Sequence, residues 1–226
     1  MTNPVVVALH RAARSRGSAP LLTWYGADGA RTELSVRSFT NWVDKTANLL
    51  LDLDLDDLVV AGLVSREHPG HWMSLIWPLA TWQAGGSYVL DGPGTVAVIG
   101  PESPAAVPGA VTFACSLHPL GLGLRDLPSG VLDFTSEALA RPDAPIIMPV
   151  EPDAIAWAGD DRPLTHAQLD IAPQAGRVLV RPQDAWHTLA DAVIAPILGG
   201  GSSVVVEGKR SGDDLNRLIA SERITG

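Results

Sequence analysis

The run Leu58-Val59-Val60-Ala61-Gly62-Leu63-Val64 constrains this chain more than any other stretch. Unbroken by a polar residue, it reads as a strand covered on both faces, the pattern of a parallel sheet. Parallel neighbours need crossover connections, usually helices, and the flanking sequence supplies them. Ser35 stands as an N-cap, and Val36, Phe39, Val43, Thr46, Ala47 and Leu50 follow at helical spacing. A second helix is expected from His71 to Gln83, with Trp72, Ile76, Leu79 and Ala80 on one side and Gly85-Gly86 as its stop. Strands are expected at Leu21–Tyr25, Arg31–Leu34, Ser87–Leu90, Thr95–Ile99 and Val111–Cys115, the first two joined as a hairpin through Gly26–Gly29. Phe134–Ala140 reads as a short helix. Asp184–Leu198 reads as a helix, Gly199-Gly200-Gly201 as its turn and Ser203–Glu207 as a strand; Ser211 caps a last amphipathic helix carrying Leu215, Leu218 and Ile219. This alternation gives an α/β protein of layered sheets with flanking helices, in one unit over residues 1–226, since no linker or repeat divides the chain.

Composition excludes several functions. The formal charge is −9, which repels phosphate backbones and anionic lipid, so neither nucleic acid nor a membrane surface is an expected partner. No apolar run reaches the roughly 20 residues of a membrane helix, and Met1–Pro4 opens no leader sequence, so a cytoplasmic location is expected. A single cysteine, Cys115, rules out an internal disulfide framework and multi-cysteine metal sites. Only two of the 16 basic residues are lysines, Lys45 and Lys209, so lysine chemistry has two candidates.

The order of these features resembles the start of the adenylate-forming family, which comprises acyl-CoA synthetases, adenylation domains and luciferases. The residues that carry the resemblance are the hairpin closing on Glu33-Leu34, the helix with Ala47 and Leu50, and the strand Asp57–Ala61. The helix ending Trp82-Gln83-Ala84-Gly85-Gly86, the segment Ala195–Val205 and the close Leu218–Thr225 add to it. It covers nearly the whole chain but only the first large subdomain of the family, and it is most similar to small actinobacterial proteins of this truncated type. In the family, a loop of the pattern Thr-Ser-Gly-Thr-Thr-Gly-x-Pro-Lys-Gly, soon followed by Thr-His-x-x-Leu, cradles ATP. Its backbone N–H groups and hydroxyls donate to phosphate oxygens, and its lysine adds charge.

Here the matching stretch is Asp153–Leu169. Ile155–Trp157 match the strand before the loop, Arg162-Pro163 the x-Pro pair, and Thr165-His166 with Leu169 the exit. Between them the hydroxyls are gone, the loop is several residues shorter, Leu164 replaces the lysine, and Asp160 and Asp161 sit where triphosphate would lie. Two like charges at about 4 Å repel by about 1 kcal/mol even in bulk water. The family's adenine pocket, carboxylate pocket, metal-binding glutamate and catalytic lysine all fall beyond the position matching Thr225, and Lys209 matches none of them. The resemblance with these losses implies a protein without catalytic residues or cofactor. It would be a pseudoenzyme acting by protein interaction, either as a homo-oligomer or with a partner, through an apolar face on the last helix or the proline-rich middle. The alternative is a small-molecule binder or weak enzyme whose cleft is lined by Gly159, Asp160, Asp161, Arg162, Thr165 and His166, and prefers a cation or polyol to a phosphate. A third possibility, a separately encoded remainder completing the enzyme, would leave the loop chemistry unrestored.

Other motifs point to structure. Cys115-x-x-His118 and His68-x-x-His71 each offer two ligands where a zinc site needs three or four, so no metal is expected. Cys115 follows Phe113 and Ala114 and reads as a buried, inert thiol. Asp52–Asp57 alternates with leucine and lacks the glycine and glutamate of a calcium loop. Leu120-Gly121-Leu122-Gly123-Leu124 has no third glycine for a dinucleotide fingerprint. No Gly-x-Ser-x-Gly elbow is present. The seven tryptophans are expected mainly in the core.

Overall fold

A computed structural model describes residues 1–102, 104–159 and 161–225. The chain opens with α1 (Pro4–Arg16), the hairpin β1 (Pro20–Tyr25) and β2 (Arg31–Ser35), and α2 (Val36–Leu51). Next come β3 (Val59–Gly62), α3 (Leu63–Glu67), α4 (Trp72–Gln83), β4 (Ser87–Val89), β5 (Val96–Ile99), β6 (Val111–Ala114), β7 (Val131–Asp133) and α5 (Phe134–Leu139). The remainder holds β8 (Ile155–Gly159), β9 (Arg162–Thr165), β10 (Arg177–Val180), a helical stretch over 185–199, β11 (Ser202–Val206) and α8 (Gly212–Ser221). That stretch comprises α6 (Ala185–Leu189), a π-helical turn (Ala190–Ile194) and α7 (Ala195–Gly199).

Two sheets result. The small one has the order β10-β11-β1-β2 and the large one β7-β6-β5-β3-β4-β8-β9. In the large sheet every pairing is parallel except β8 with β9. Helix α2 packs on the small sheet and α4 on the large one, and the two helices pack on each other. One apolar cluster therefore runs from Leu22 and Val205 in the small sheet to Val60 and Trp157 in the large one. The α/β class of layered sheets flanked by helices is thus present as expected.

The caps explain where the helices start. Ser35 accepts from the Ser38 N–H, Asp133 from Ser136, Asp184 from His187 and Ser211 from Asp214. Gly85 stops α4 at φ +85° and Gly200 stops α7 at φ +79°, conformations that favour a residue without Cβ. Two prolines lie inside helices. Each lacks the N–H that would bond the carbonyl four residues back. A serine hydroxyl takes up each orphaned carbonyl: Ser65 Oγ donates to the Ser74 carbonyl at 3.2 Å behind Pro78, and Ser203 Oγ to the Ala192 carbonyl at 2.6 Å behind Pro196.

Several details differ from the sequence expectation. The apolar run 58–64 is not one strand; it divides at Gly62 and continues as α3. Helix α4 is buried on every face rather than along one side, because α2 covers what the sheet leaves free. The last helix is not an exposed apolar face. Leu218 packs on Val204 and Val206 of the small sheet. The tryptophans behave as core residues: Trp72, Trp77, Trp82 and Trp157 are each at most 1 % exposed. No helix among the described residues is long and apolar enough to cross a membrane.

Candidate functional site

Strand β8 reaches the carboxyl edge of the large sheet and folds straight back as β9. Gly159 pairs with Arg162, so two residues make the connection. Asp161 takes φ +55°, the left-handed conformation such a tight hairpin turn requires and aspartate tolerates. Asp160 lies outside the described residues. Gly159 is fixed by packing. A Cβ there would meet Leu90 Cγ at 2.6 Å, and Leu90 is itself tied to the hairpin by its N–H on the Ala158 carbonyl at 2.8 Å.

The residues expected to line one cleft separate into two places. Gly159, Asp161 and Arg162 form the tip, where Asp161 and Arg162 are exposed. Thr165 pairs with Ile155 at the other end of the hairpin, about 10 Å along the strand. Its N–H donates to Gln168 Oε1 at 3.0 Å, closing a cap on the short turn His166–Gln168. His166 is 1 % exposed, and its Nδ1 lies 2.8 Å from the Asn3 side-chain amide, whose oxygen caps α1 at Val5 and Val6. Burial, and then the Met1 ammonium, hold this imidazole below its ordinary pKa. His166 thus ties the turn after β9 to the N-cap of α1, and Thr165 caps that turn.

Other titratable groups are structural. Cys115 is fully buried beneath Trp77, whose Nε1 donates to Sγ at 3.3 Å, and burial pushes the thiol up to about 12. His71 caps α4 through Nδ1, accepting from the Met73 N–H at 3.1 Å, and burial lowers it to about 3. His10, Asp44 and Gln83 form a buried polar set: Gln83 Nε2 donates to Asp44 Oδ1 at 2.8 Å and His10 Nε2 lies 2.8 Å from Gln83 Oε1. Lys209 sits in the loop between β11 and α8, as expected.

The crevice at the carboxyl ends of the strands is elsewhere than the hairpin. A cavity of about 540 Å³ opens beyond β3 and β5, lined in part by Leu63, His68, Ile99, Glu102 and Val107. Chain order reverses at this point of the sheet, since β4 lies on one side of β3 and β5 on the other. Open α/β sheets place ligands at such reversals. Sequence spacing marked His68 but not Glu102, which the fold brings to 2.8 Å from His68 Nε2.

No protein-family model matches the sequence. Among solved structures, the fold is similar to the acyl-CoA synthetase of Brucella canis, with a TM-score of 0.73 and 17% identity over 100% of this chain and 46% of that one. ATP-bound MatB from Rhodopseudomonas palustris matches with a TM-score of 0.68 and 18% identity, over 100% of this chain and 48% of its own. The anthranilate CoA ligase AuaEII, solved with anthranoyl-AMP, gives 0.69 and 14%, over 99% and 49%. The chain therefore has the fold of the N-terminal subdomain of acyl-CoA synthetases and spans about half the length of these enzymes. A TIGR03089 family protein of Mycobacterium tuberculosis is 30% identical over 100% of this chain and 99% of its own length. At that identity and coverage the chain belongs to the TIGR03089 family.

Proposed function

We propose that the chain is a non-catalytic relative of the adenylate-forming enzymes, a cytoplasmic protein that works by binding a partner protein or a second copy of itself. The observation that carries this is the two-residue link between Gly159 and Arg162. A triphosphate cradle needs several consecutive N–H donors free of the sheet, with hydroxyls beside them. Here the strands stay paired up to Gly159 and Arg162, the segment 158–164 contains no serine or threonine, and in the sequence only two aspartates separate Gly159 from Arg162. Arg162 is the one cation of that segment. Support for an interaction role comes from exposed apolar side chains in the middle of the chain: Leu120 is 77 % exposed, Leu122 57 %, Leu139 55 % and Ile146 50 %.

The test is carboxylate-dependent ATP–pyrophosphate exchange, run with fatty, aromatic and amino acids alongside sedimentation velocity. No exchange above a buffer blank, with a dimer or a larger species, is the expected outcome. Exchange with any carboxylate would refute the proposal. A second reading keeps the hairpin tip as a small-ligand site, favoured by the exposure of Asp161 and Arg162. It calls for a thermal shift with a polyol or nucleotide that disappears in Arg162→Ala.

A further inference from the structure

We propose that Glu67, His68 and Glu102 form a binding site for one divalent transition-metal cation at the mouth of the cavity beyond β3 and β5. This site is separate from the hairpin and does not depend on the function proposed above. The three side chains come from two connections that the sheet topology forces together. Glu67 and His68 end α3, directly after β3, and Glu102 lies in the loop after β5. One ligand atom from each lies within 4.8 Å of the others. Tetrahedral ligands bound at about 2.0–2.2 Å stand about 3.4 Å apart, so the side chains rotate inward by about 1 Å to close around an ion.

Two further features favour a cation. Gly100 clears the space: a Cβ there would stand 2.5 Å from Glu102 Oε2 and 3.4 Å from His68 Nε2. The carboxylates also outnumber their counter-charge. His68 Nε2 lies 2.8 Å from Glu102 Oε1, and Glu67 brings a second carboxylate to the same place. Arg66, the neighbouring cation, is turned to the Leu90 carbonyl and to Asp91.

The donor set selects the metal. One imidazole nitrogen with carboxylate oxygens suits zinc, manganese or ferrous iron, whereas calcium and magnesium take oxygen alone. Three protein ligands leave a fourth position open, as in zinc sites that hold water or substrate. That position faces a space of about 540 Å³ walled by Leu63, Ile99, Val107 and Pro108, room for a small organic ligand with an oxyanion.

The probe is Zn²⁺ titrated by calorimetry into the full chain after chelator treatment. One ion per chain is expected. His68→Ala and Glu102→Gln should each weaken binding by about tenfold or more, while His118→Ala leaves it unchanged. His68 is partly exposed and Glu102 exposed, so both variants should keep the parent melting temperature. Anomalous diffraction at the zinc edge should place a peak among the three residues. Absence of saturable binding, full affinity in both variants, or a peak elsewhere would overturn the proposal.

Discussion

Gly159→Ala tests whether the glycine of the hairpin serves packing or the approach of a ligand. Its Cβ would stand 2.6, 2.7 and 2.7 Å from Cγ, Cβ and Cδ1 of Leu90. Leu90 is 3 % exposed and its N–H is bonded to the Ala158 carbonyl, so it cannot retreat without breaking that bond. Overpacking of this kind costs about 1–3 kcal/mol, or roughly 2–4 °C of melting temperature per kcal/mol in a chain this long. Leu90→Ala alone should cost about 2–5 kcal/mol as a buried truncation. It also removes two of the three clashing atoms. The double variant should therefore be more stable than the sum of the two singles by about 1 kcal/mol, with the Leu90 Cβ contact retaining part of the penalty. Urea unfolding of the four proteins gives the coupling. Additivity within about 0.5 kcal/mol would show that Leu90 does not hold Gly159 and would refute the packing argument.

Other outcomes follow from the same geometry. Gly62→Ala would push a Cβ to 1.9 Å from the Tyr88 hydroxyl, so it should destabilise by about 2–3 kcal/mol and be partly rescued by Tyr88→Val, read by the same denaturation. His71, lowered to about 3 from an ordinary 6.5, is held neutral in the folded chain. Its contribution is complete above pH 6.5 and lost as the unfolded chain takes up the proton, by about 2 kcal/mol at pH 5. His166 acts in the same direction, while Asp44 and Glu207, both raised by burial, oppose it once carboxylates titrate. Stability measured from pH 7 to 5 should therefore fall, and a flat profile would contradict the burial of these rings. Cys115, up at about 12, should react with a thiol reagent only after denaturation, and stoichiometric labelling of the native chain would contradict its placement.

Much of the fold was legible because short-range signals agreed. Serine and aspartate caps, glycine stops and apolar runs placed α2, α4, α5, α8 and the central strands. Elements defined by distant partners were not. β10 is a short edge strand that exists through its pairing with β11, and β7 through its pairing with β6. α1 does carry a local signal, Asn3 as its N-cap with Pro4 in the first turn. The π-helical turn before Pro196 has the same apolar content as an α-helix, so periodicity could not reveal it. The shortened turn of the hairpin is visible in the residues between Gly159 and Arg162. The sequence could not show that His166 would be claimed by Asn3, 163 residues away, or that Glu102 would meet His68. Both contacts are products of tertiary packing.

The central claim is that the turn closing β8 onto β9 has neither the backbone nor the charge to hold a nucleotide triphosphate. Crystals soaked in ATP with magnesium test it directly. No triphosphate density at the tip formed by Gly159, Asp161 and Arg162 is expected. Ordered phosphates wrapped by that turn would contradict the account.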